Sequence, residues 1–371
     1  LNKRLEYHLL GNHLIANAKA LVFGGLFFEC EEANNWLQKG LAILEREIKE
    51  QILPDGGHFE LSTMYHTLAL EDILDLINVT KTLSGRLSSD QKKIISSFFD
   101  LAKSMDGWLK NMCHPDGEIS FFNDSAFDVA PSISKLDAYA KRLGIVSSET
   151  TDRNLILLKD SGYIRMKNDS VQALLDVAKI GPDYLPGHAH ADTLSFELSV
   201  GYQRVIVNSG TSCYGSSTER LKQRGTISHN TVTVNGENSS EVWGGFRVAR
   251  RAYPGELQIL NSRSGNNLEV RCSHNGYDRL KGKPVHTRSW VFKEHVLEIQ
   301  DNIKGKYETA VSRFHFHPIL SIFMDEKNNC GTVSLQNGKI MDWFILEGTG
   351  KLEASSWHPR FGESTTNICL E

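Results

Sequence analysis

Gly187-His188-Ala189-His190-Ala191-Asp192 runs directly into Thr193-Leu194-Ser195-Phe196-Glu197-Leu198-Ser199-Val200, and the rest of the chain is read outward from this stretch. Its first half alternates small residues with His, His and Asp. Its second half reads as a buried strand. In an extended chain, side chains two apart share a face, so His188, His190 and Asp192 would point the same way. Pro186-Gly187 marks a loop feeding the strand. Such a junction suits a metal ligand beside a base. It suits equally well two histidines satisfied by local hydrogen bonds, and spacing alone does not choose.

Downstream, short apolar runs rich in β-branched residues follow one another between Gly, Asn, Asp and Ser. They include Arg204–Val207, Thr231–Val234, Leu268–Cys272, Ser289–Phe292, Val296–Ile299, Val311–Phe316 and Met341–Leu346. With no helical period between them they predict antiparallel pairing, because parallel strands need crossovers. Upstream the texture is helical. Leu10, Leu14, Ala18, Leu21 and Val22 mark a helix over 5–28. Trp36, Leu37, Leu41, Leu44 and Ile48 mark a second over 32–52. After the turn Pro54-Asp55-Gly56-Gly57, a third is expected over 61–77, with Leu61, Met64, Tyr65 and Leu68 on one stripe. A fourth spans 90–112 and a fifth lies near 132–143. The expected class is therefore α+β and multidomain: helices over 1–150, antiparallel β over 151–371, and a boundary near 145–155. A cleft between two such domains is a natural ligand site.

The chain has 371 residues, 40% of them hydrophobic, and a formal net charge of −4. That permits a substantial core. It argues against nucleic acid as the main partner, which calls for a concentrated basic face. It does not exclude an anionic substrate, since a local cluster of cations can outweigh the average. The six cysteines are widely spaced and none forms a CxxC pair, so free or buried thiols are expected. No apolar run is long enough for a membrane span. The chain opens without Met inside an apolar pattern and stops after a strand-like start. Both ends are expected to continue in a longer protein, which leaves targeting and localisation open.

Other polar clusters are less decisive. Asn208-Ser209-Gly210-Thr211 reads as a turn after an apolar strand, and Ser228-His229-Asn230-Thr231 opens another strand. Asn12-His13 sits within the first helical pattern, where Asn is neither a good helix former nor a good core residue. Glu60, Tyr65 and His66 flank the start of the third helix. A hydrolase would need two catalytic carboxylates. Asp55, Glu60 and Asp124 show no convincing pairing.

Taken together, the segments resemble the heparinase II/III-like polysaccharide lyases. The matching pieces are Gly11-Asn12-His13-Leu14, Asp55-Gly56-Gly57-His58-Phe59-Glu60 with Ser62 and Tyr65-His66, and Gly187-His188-Ala189-His190-Ala191-Asp192 with Leu194-Ser195-Phe196. They continue with Asn208-Ser209-Gly210-Thr211 and Tyr214, then Arg224, Thr226 and Ser228-His229-Asn230-Thr231-Val232. Phe246-Arg247 and His274-Asn275-Gly276-Tyr277 complete the set. The resemblance implies an N-terminal (α/α) toroid, incomplete here, followed by a large antiparallel β-sandwich. It implies β-elimination at a uronic acid within an acidic polysaccharide, in a periplasmic or secreted setting. Asn12, helped by His13, would neutralise the sugar carboxylate. Tyr65 and His188 would exchange protons, with the identity of the base left open between them. Glu60, His66, Tyr214 and Arg224 are the expected substrate contacts.

The resemblance also implies a structural zinc held by His, Asp and His. The matching positions are His190, Asn208 and His229, so Asn stands where the family has Asp, and amide oxygen is the poorer ligand. Three outcomes stay open: weak zinc binding, substitution by Asp192, or hydrogen bonds in place of metal. No organic cofactor is expected. The alternative function is a catalytically inactive, polysaccharide-binding relative in capsule or exopolysaccharide assembly.

Overall fold

A computed structural model describes residues 2–146, 153–168, 170–261, 267–293 and 295–371. The expected boundary near 145–155 falls largely on 147–152, outside the described residues. The chain divides into two compact units. One comprises 1–113, 128–152 and 158–161; the other comprises 114–127, 153–157 and 162–371.

The first unit is helical: α1 (Gly11–Phe27), α2 (Glu31–Gln51), α3 (Thr63–Thr82), α4 (Ser89–Asn111) and α5 (Ile133–Leu143). The expected apolar stripes face its interior. Leu14, Ala18, Leu21 and Val22 on α1 and Leu37, Leu41, Leu44 and Ile48 on α2 are all buried. α1 and α2 approach closely because a Cβ on Gly25 would lie 2.6 Å from Leu37 Cβ. α4 starts with a capping box between Ser88 and Gln91, and α5 ends at Gly144 in the left-handed region. Two features differ from expectation. α1 begins at Gly11 rather than near residue 5, because Leu10 and Gly11 both have positive φ (59° and 56°) and cannot continue a helix. Asn12 and His13 therefore sit in the first helical turn, not mid-helix. On α3 the buried stripe is Met64, Leu70, Ile73, Leu74 and Ile77, while Tyr65 is only half-buried.

The second unit is built of antiparallel strands: β1 (Leu155–Leu158), β2 (Tyr163–Lys167), β3 (Val171–Asp176), β4 (Phe196–Val200) and β5 (Gln203–Ile206) form one sheet in chain order. A short helix, α6 (Thr218–Arg224), follows. Then come β6 (Val232–Val234) and a two-stranded hairpin of β7 (Val242–Trp243) and β8 (Arg247–Val248). β9 (Gln258–Asn261), β10 (Asn267–His274), β11 (Val285–Lys293) and β12 (Val296–Lys304) make a four-stranded sheet. β13 (Ala310–Ser312) pairs with β6, and β14 (Phe314–His315) pairs with the last strand. The run expected as one strand over 311–316 thus switches partner at Arg313, whose N–H donates to Thr231 O (3.1 Å). β15 (Ser321–Asp325), β16 (Cys330–Ser334) and β17 (Ile340–Phe344) form a three-stranded sheet, and β18 (Leu352–Trp357) with β19 (Thr365–Leu370) completes the β14 sheet. One apolar core draws on several sheets at once, through Ile164, Leu175, Phe196, Val270, Trp290, Val333 and Leu370.

The sequence reading placed residues 114–127 with the helices; the structure places them in the β unit. Buried Glu197 of β4 accepts from His114 Nε2 (2.8 Å) and Phe121 N (3.0 Å), and Arg204 of β5 grips Asp116 through Nε and Nη2 (2.6 and 3.1 Å). Charge-assisted bonds of this kind fix the segment to the sheet. All six cysteines are free, and among the described residues no helix is long and apolar enough to cross a membrane.

Candidate functional site

In the helical unit, a buried network ties the start of α1 to the start of α3. Gln51 at the end of α2 donates through Nε2 to Gly11 O (3.0 Å), one residue before Asn12. Its Oε1 faces His58 Nε2 at 3.4 Å. The His58 N–H in turn donates to His66 Nδ1 (3.2 Å), one residue beyond Tyr65. His66 Nε2 donates to Met105 O (3.0 Å), and the ring packs against Trp108. Burial holds the His66 imidazole down at about 4, so it is neutral. Ser62 caps α3 by accepting from Tyr65 N (3.1 Å). Tyr65 and Asn12 are half-buried, and His13 is exposed, with Nδ1 3.6 Å from Glu6.

Glu60 and His66, expected as substrate contacts, are both buried in this unit, at 3% and 0% exposure. Both nitrogens of His66 are committed to protein groups. Glu60 and His66 are thus interior residues of the helical unit. Asp55 is an anchor: its carboxylate accepts from Asp160 N, Ser161 N and Ser161 Oγ (2.9, 2.7 and 2.9 Å). Gly56 in the same turn has φ of 92° and would press a Cβ 2.4 Å from Ser104 O.

In the β unit, the centre is Asp124. Its Oδ2 accepts from His188 Nδ1 (2.9 Å) and Arg220 Nη2 (2.7 Å). Its Oδ1 accepts from His190 Nε2 (2.8 Å), Thr211 Oγ1 (3.2 Å) and Arg220 Nη1. The backbone closes the arrangement, since Asp124 N donates to His188 O (3.0 Å). Burial would raise this carboxyl's pKa, but the bonds from His188, His190 and Arg220 hold it well below the usual range. An ionised carboxylate only accepts, so His188 Nδ1 carries the proton that it donates to Asp124. The His188 side chain keeps 14% exposure, whereas His190 and Asp124 have none. His188 is thus the one of the pair that can reach a ligand.

The His-Ala-His spacing does bring both rings to one group, but as a loop, with β4 starting only at Phe196. Asp192 goes elsewhere and accepts from Asn123 N (3.3 Å). Tyr214, expected as a substrate contact, stands beside His188 with ring centroids 6.0 Å apart. Arg224, expected as another, is fully buried and donates to Ala189 O (3.0 and 2.9 Å) and Gly244 O (3.2 Å). It shapes the loop from beneath. Arg220 was missed in the sequence, and Asp124 was weighed there only as a carboxylate without a convincing pair. The one available signal was a charged residue inside the apolar run Phe121-Phe122-Asn123-Asp124.

The three expected metal positions form a chain. His190 Nδ1 lies 3.2 Å from His229 Nε2, and His229 Nδ1 lies 3.2 Å from Asn208 Oδ1. His190 and Asn208 therefore meet opposite nitrogens of His229 and do not face one point. The buried Nδ2 of Asn208 has no acceptor among the described residues, and as a donor it is no ligand. Among the described residues no group of three or more His, Cys, Asp or Glu is arranged to hold a metal, Asp192 included. These residues do not fit the tetrahedral zinc that the resemblance implies. Burial lowers His190 to about 4 and His229 to about 3, so both are neutral members of a hydrogen-bonded cluster.

Comparison with known proteins agrees with the sequence resemblance. The family model "Heparinase II/III N-terminus" matches residues 2–143, and "Heparinase II/III-like, C-terminal" matches residues 150–371. The chain belongs to the heparinase II/III-like family. It is 27% identical to a heparin-sulfate lyase of Bacteroides stercoris over 288 residues, 72% of this chain and 42% of that protein. It is 24% identical to one of Bacteroides thetaiotaomicron over 372 residues, 90% of this chain and 51% of that protein. The chain thus spans about half the length of the curated relatives it matches. Its fold is similar to a crystal structure of heparinase III, with TM-score 0.79, 21% identity and coverage of 98% of this chain and 59% of that one. Heparan sulfate lyase HepC from Pedobacter heparinus gives TM-score 0.75, 18% identity and coverage of 100% and 58%.

Proposed function

We propose that the protein is a polysaccharide lyase that cleaves uronate-containing acidic polysaccharides by β-elimination. The observation that carries this reading is the His188–Asp124 pair: a partly exposed imidazole whose Nδ1 is held 2.9 Å from a buried carboxylate. That orientation suits a general base. The family resemblance adds the implied (α/α) toroid and β-sandwich and the roles of Asn12 and Tyr65.

The chemistry assigns work to each group. The C5 proton lies beside a carboxylate and is poorly acidic while that carboxylate keeps its full charge. Hydrogen bonds from Asn12, helped by His13, draw off that charge and stabilise the developing enolate. A base then removes the C5 proton. Electrons from that bond form the C4=C5 double bond, the C4–O4 bond breaks, and an acid protonates O4. Tyr65 is the acid. The base is His188 when the C5 proton lies on its side of the ring, and Tyr65 itself when elimination is syn. No step uses a metal.

The test is the ultraviolet absorbance of the conjugated, unsaturated uronate released from heparan sulfate, alginate and other uronate polymers. Wild-type full-length protein is expected to produce it with at least one polymer. Tyr65→Phe and His188→Ala are expected to lose about 10²–10⁴-fold. Binding without any product from any polymer would instead identify an inactive polysaccharide-binding relative.

A further inference from the structure

Beside His188 lies the β7–β8 hairpin, Val242-Trp243-Gly244-Gly245-Phe246-Arg247-Val248. Trp243 and Phe246 leave 51% and 44% of their surface in solvent, an unusual outlay for large apolar rings on a tight turn. The turn is built, not loose. Arg220 Nε donates to Gly245 O (3.0 Å) and Arg224 Nη1 to Gly244 O (3.2 Å), both from beneath. A Cβ on Gly245 would lie 2.4 Å from Gly215 O, so the hairpin seats backbone to backbone on the Tyr214 loop. The rings continue to the base: Phe246 lies 6.2 Å from His188 and 5.3 Å from Tyr214.

Arg247 pairs across the hairpin with Trp243, its guanidinium 5.1 Å from the indole ring centre. It is exposed and has no carboxylate partner among the described residues. Nearby Arg250 and Arg251 are different, being paired with Glu241 and Asp183. An open aromatic face beside an unneutralised guanidinium matches one kind of ligand: a pyranose ring with an apolar C–H face and an anionic substituent.

We propose that this hairpin is a subsite for an acidic sugar of the polymer next to the residue being cleaved. Trp243 and Phe246 carry the ring, and Arg247 binds its carboxylate or sulfate through two N–H donors. The proposal rests on the lyase reading for the identity of the polymer.

The test uses the full-length protein, titrated by calorimetry with size-defined heparan sulfate and alginate octasaccharides, alongside steady-state product formation. Trp243→Ala and Arg247→Gln are expected to weaken binding of the octasaccharide that wild type binds best by about tenfold. They should raise KM similarly while keeping kcat within about twofold, the signature of lost uniform binding. The Arg247→Gln defect should fade in high salt, and the control Arg250→Gln should bind as wild type. Unchanged affinity and KM in both variants overturns the subsite while leaving lyase activity standing. Wild type that binds without forming product ends the lyase reading, and the subsite is then judged on the calorimetry alone. Wild type that binds no acidic octasaccharide overturns both.

Discussion

Asp124 Oδ2 lies 2.9 Å from Nδ1 of His188, although 64 residues separate the two in the chain. The same carboxylate holds His190 and the guanidinium of Arg220, so one buried side chain orients the proposed base and neutralises a buried cation. Asp124→Asn should therefore fail twice. Product formation should fall by about 10²–10⁴-fold as the tautomer preference is lost. Denaturant unfolding should show a loss of about 3–5 kcal/mol, because Arg220 is left buried without its counter-charge. Wild-type turnover in a folded Asp124→Asn protein would remove Asp124 from the mechanism.

Acid should destabilise the fold well before ordinary carboxylates protonate. Burial holds His66 and His190 at about 4 and His229 and His315 at about 3, against about 6.5 in an unfolded chain. Their folded values are depressed, so between those limits the unfolded state binds more protons and stability falls as pH falls. The contribution is complete above about pH 6.5 and drains away toward pH 4. Asp124 shifts in the same direction at still lower pH. Scanning calorimetry from pH 7.5 to 4.5 should show Tm dropping steadily below about pH 6.5; a flat profile down to pH 5 would contradict the buried, neutral histidines.

Gln51→Ala should matter although Gln51 is fully buried and makes no proposed substrate contact. It removes the bond to Gly11 O and one contact of His58, at a cost of about 1–3 kcal/mol. The starts of α1 and α3 lose their tie, so kcat should fall with Asn12 and Tyr65 both unaltered. An unchanged melting curve and unchanged turnover would show that the network positions nothing.

Arg224 separates a supporting from a contacting role. Arg224→Met should lower Tm by several degrees through loss of three backbone bonds. Protein that melts as wild type but needs far more substrate would restore Arg224 as a direct contact.

Exhaustive dialysis against a chelator is expected to leave Tm and folded secondary structure unchanged, since His190, His229 and Asn208 do not converge. A drop of several degrees that zinc reverses would show a chelate.

Helix stripes and strand runs were legible because burial imposes a period on sequence. Each apolar run singled out downstream of Gly187 overlaps a single strand except 311–316, which is divided between β13 and β14. Backbone sign was not legible: nothing in Leu10-Gly11 announces positive φ, so α1 was drawn too long. His188 and Tyr65 could be found because their segments carry distinctive spacing. The roles of Asp124 and Arg220 were invisible for a different reason. Their roles come from contacts across 64 to 96 residues, and neither sits in a local pattern that records its partner. Burial also cannot be read from residue type, which is why Glu60, His66 and Arg224 were expected at a surface.

Arg220 joins Asp124 at one end of its guanidinium to Gly245 O at the other. Loops exchanged between relatives to change polymer preference must consequently supply a main-chain oxygen where Gly245 has one. A graft that omits it would disturb proton abstraction along with selectivity, so the two traits are not independently tunable through this turn.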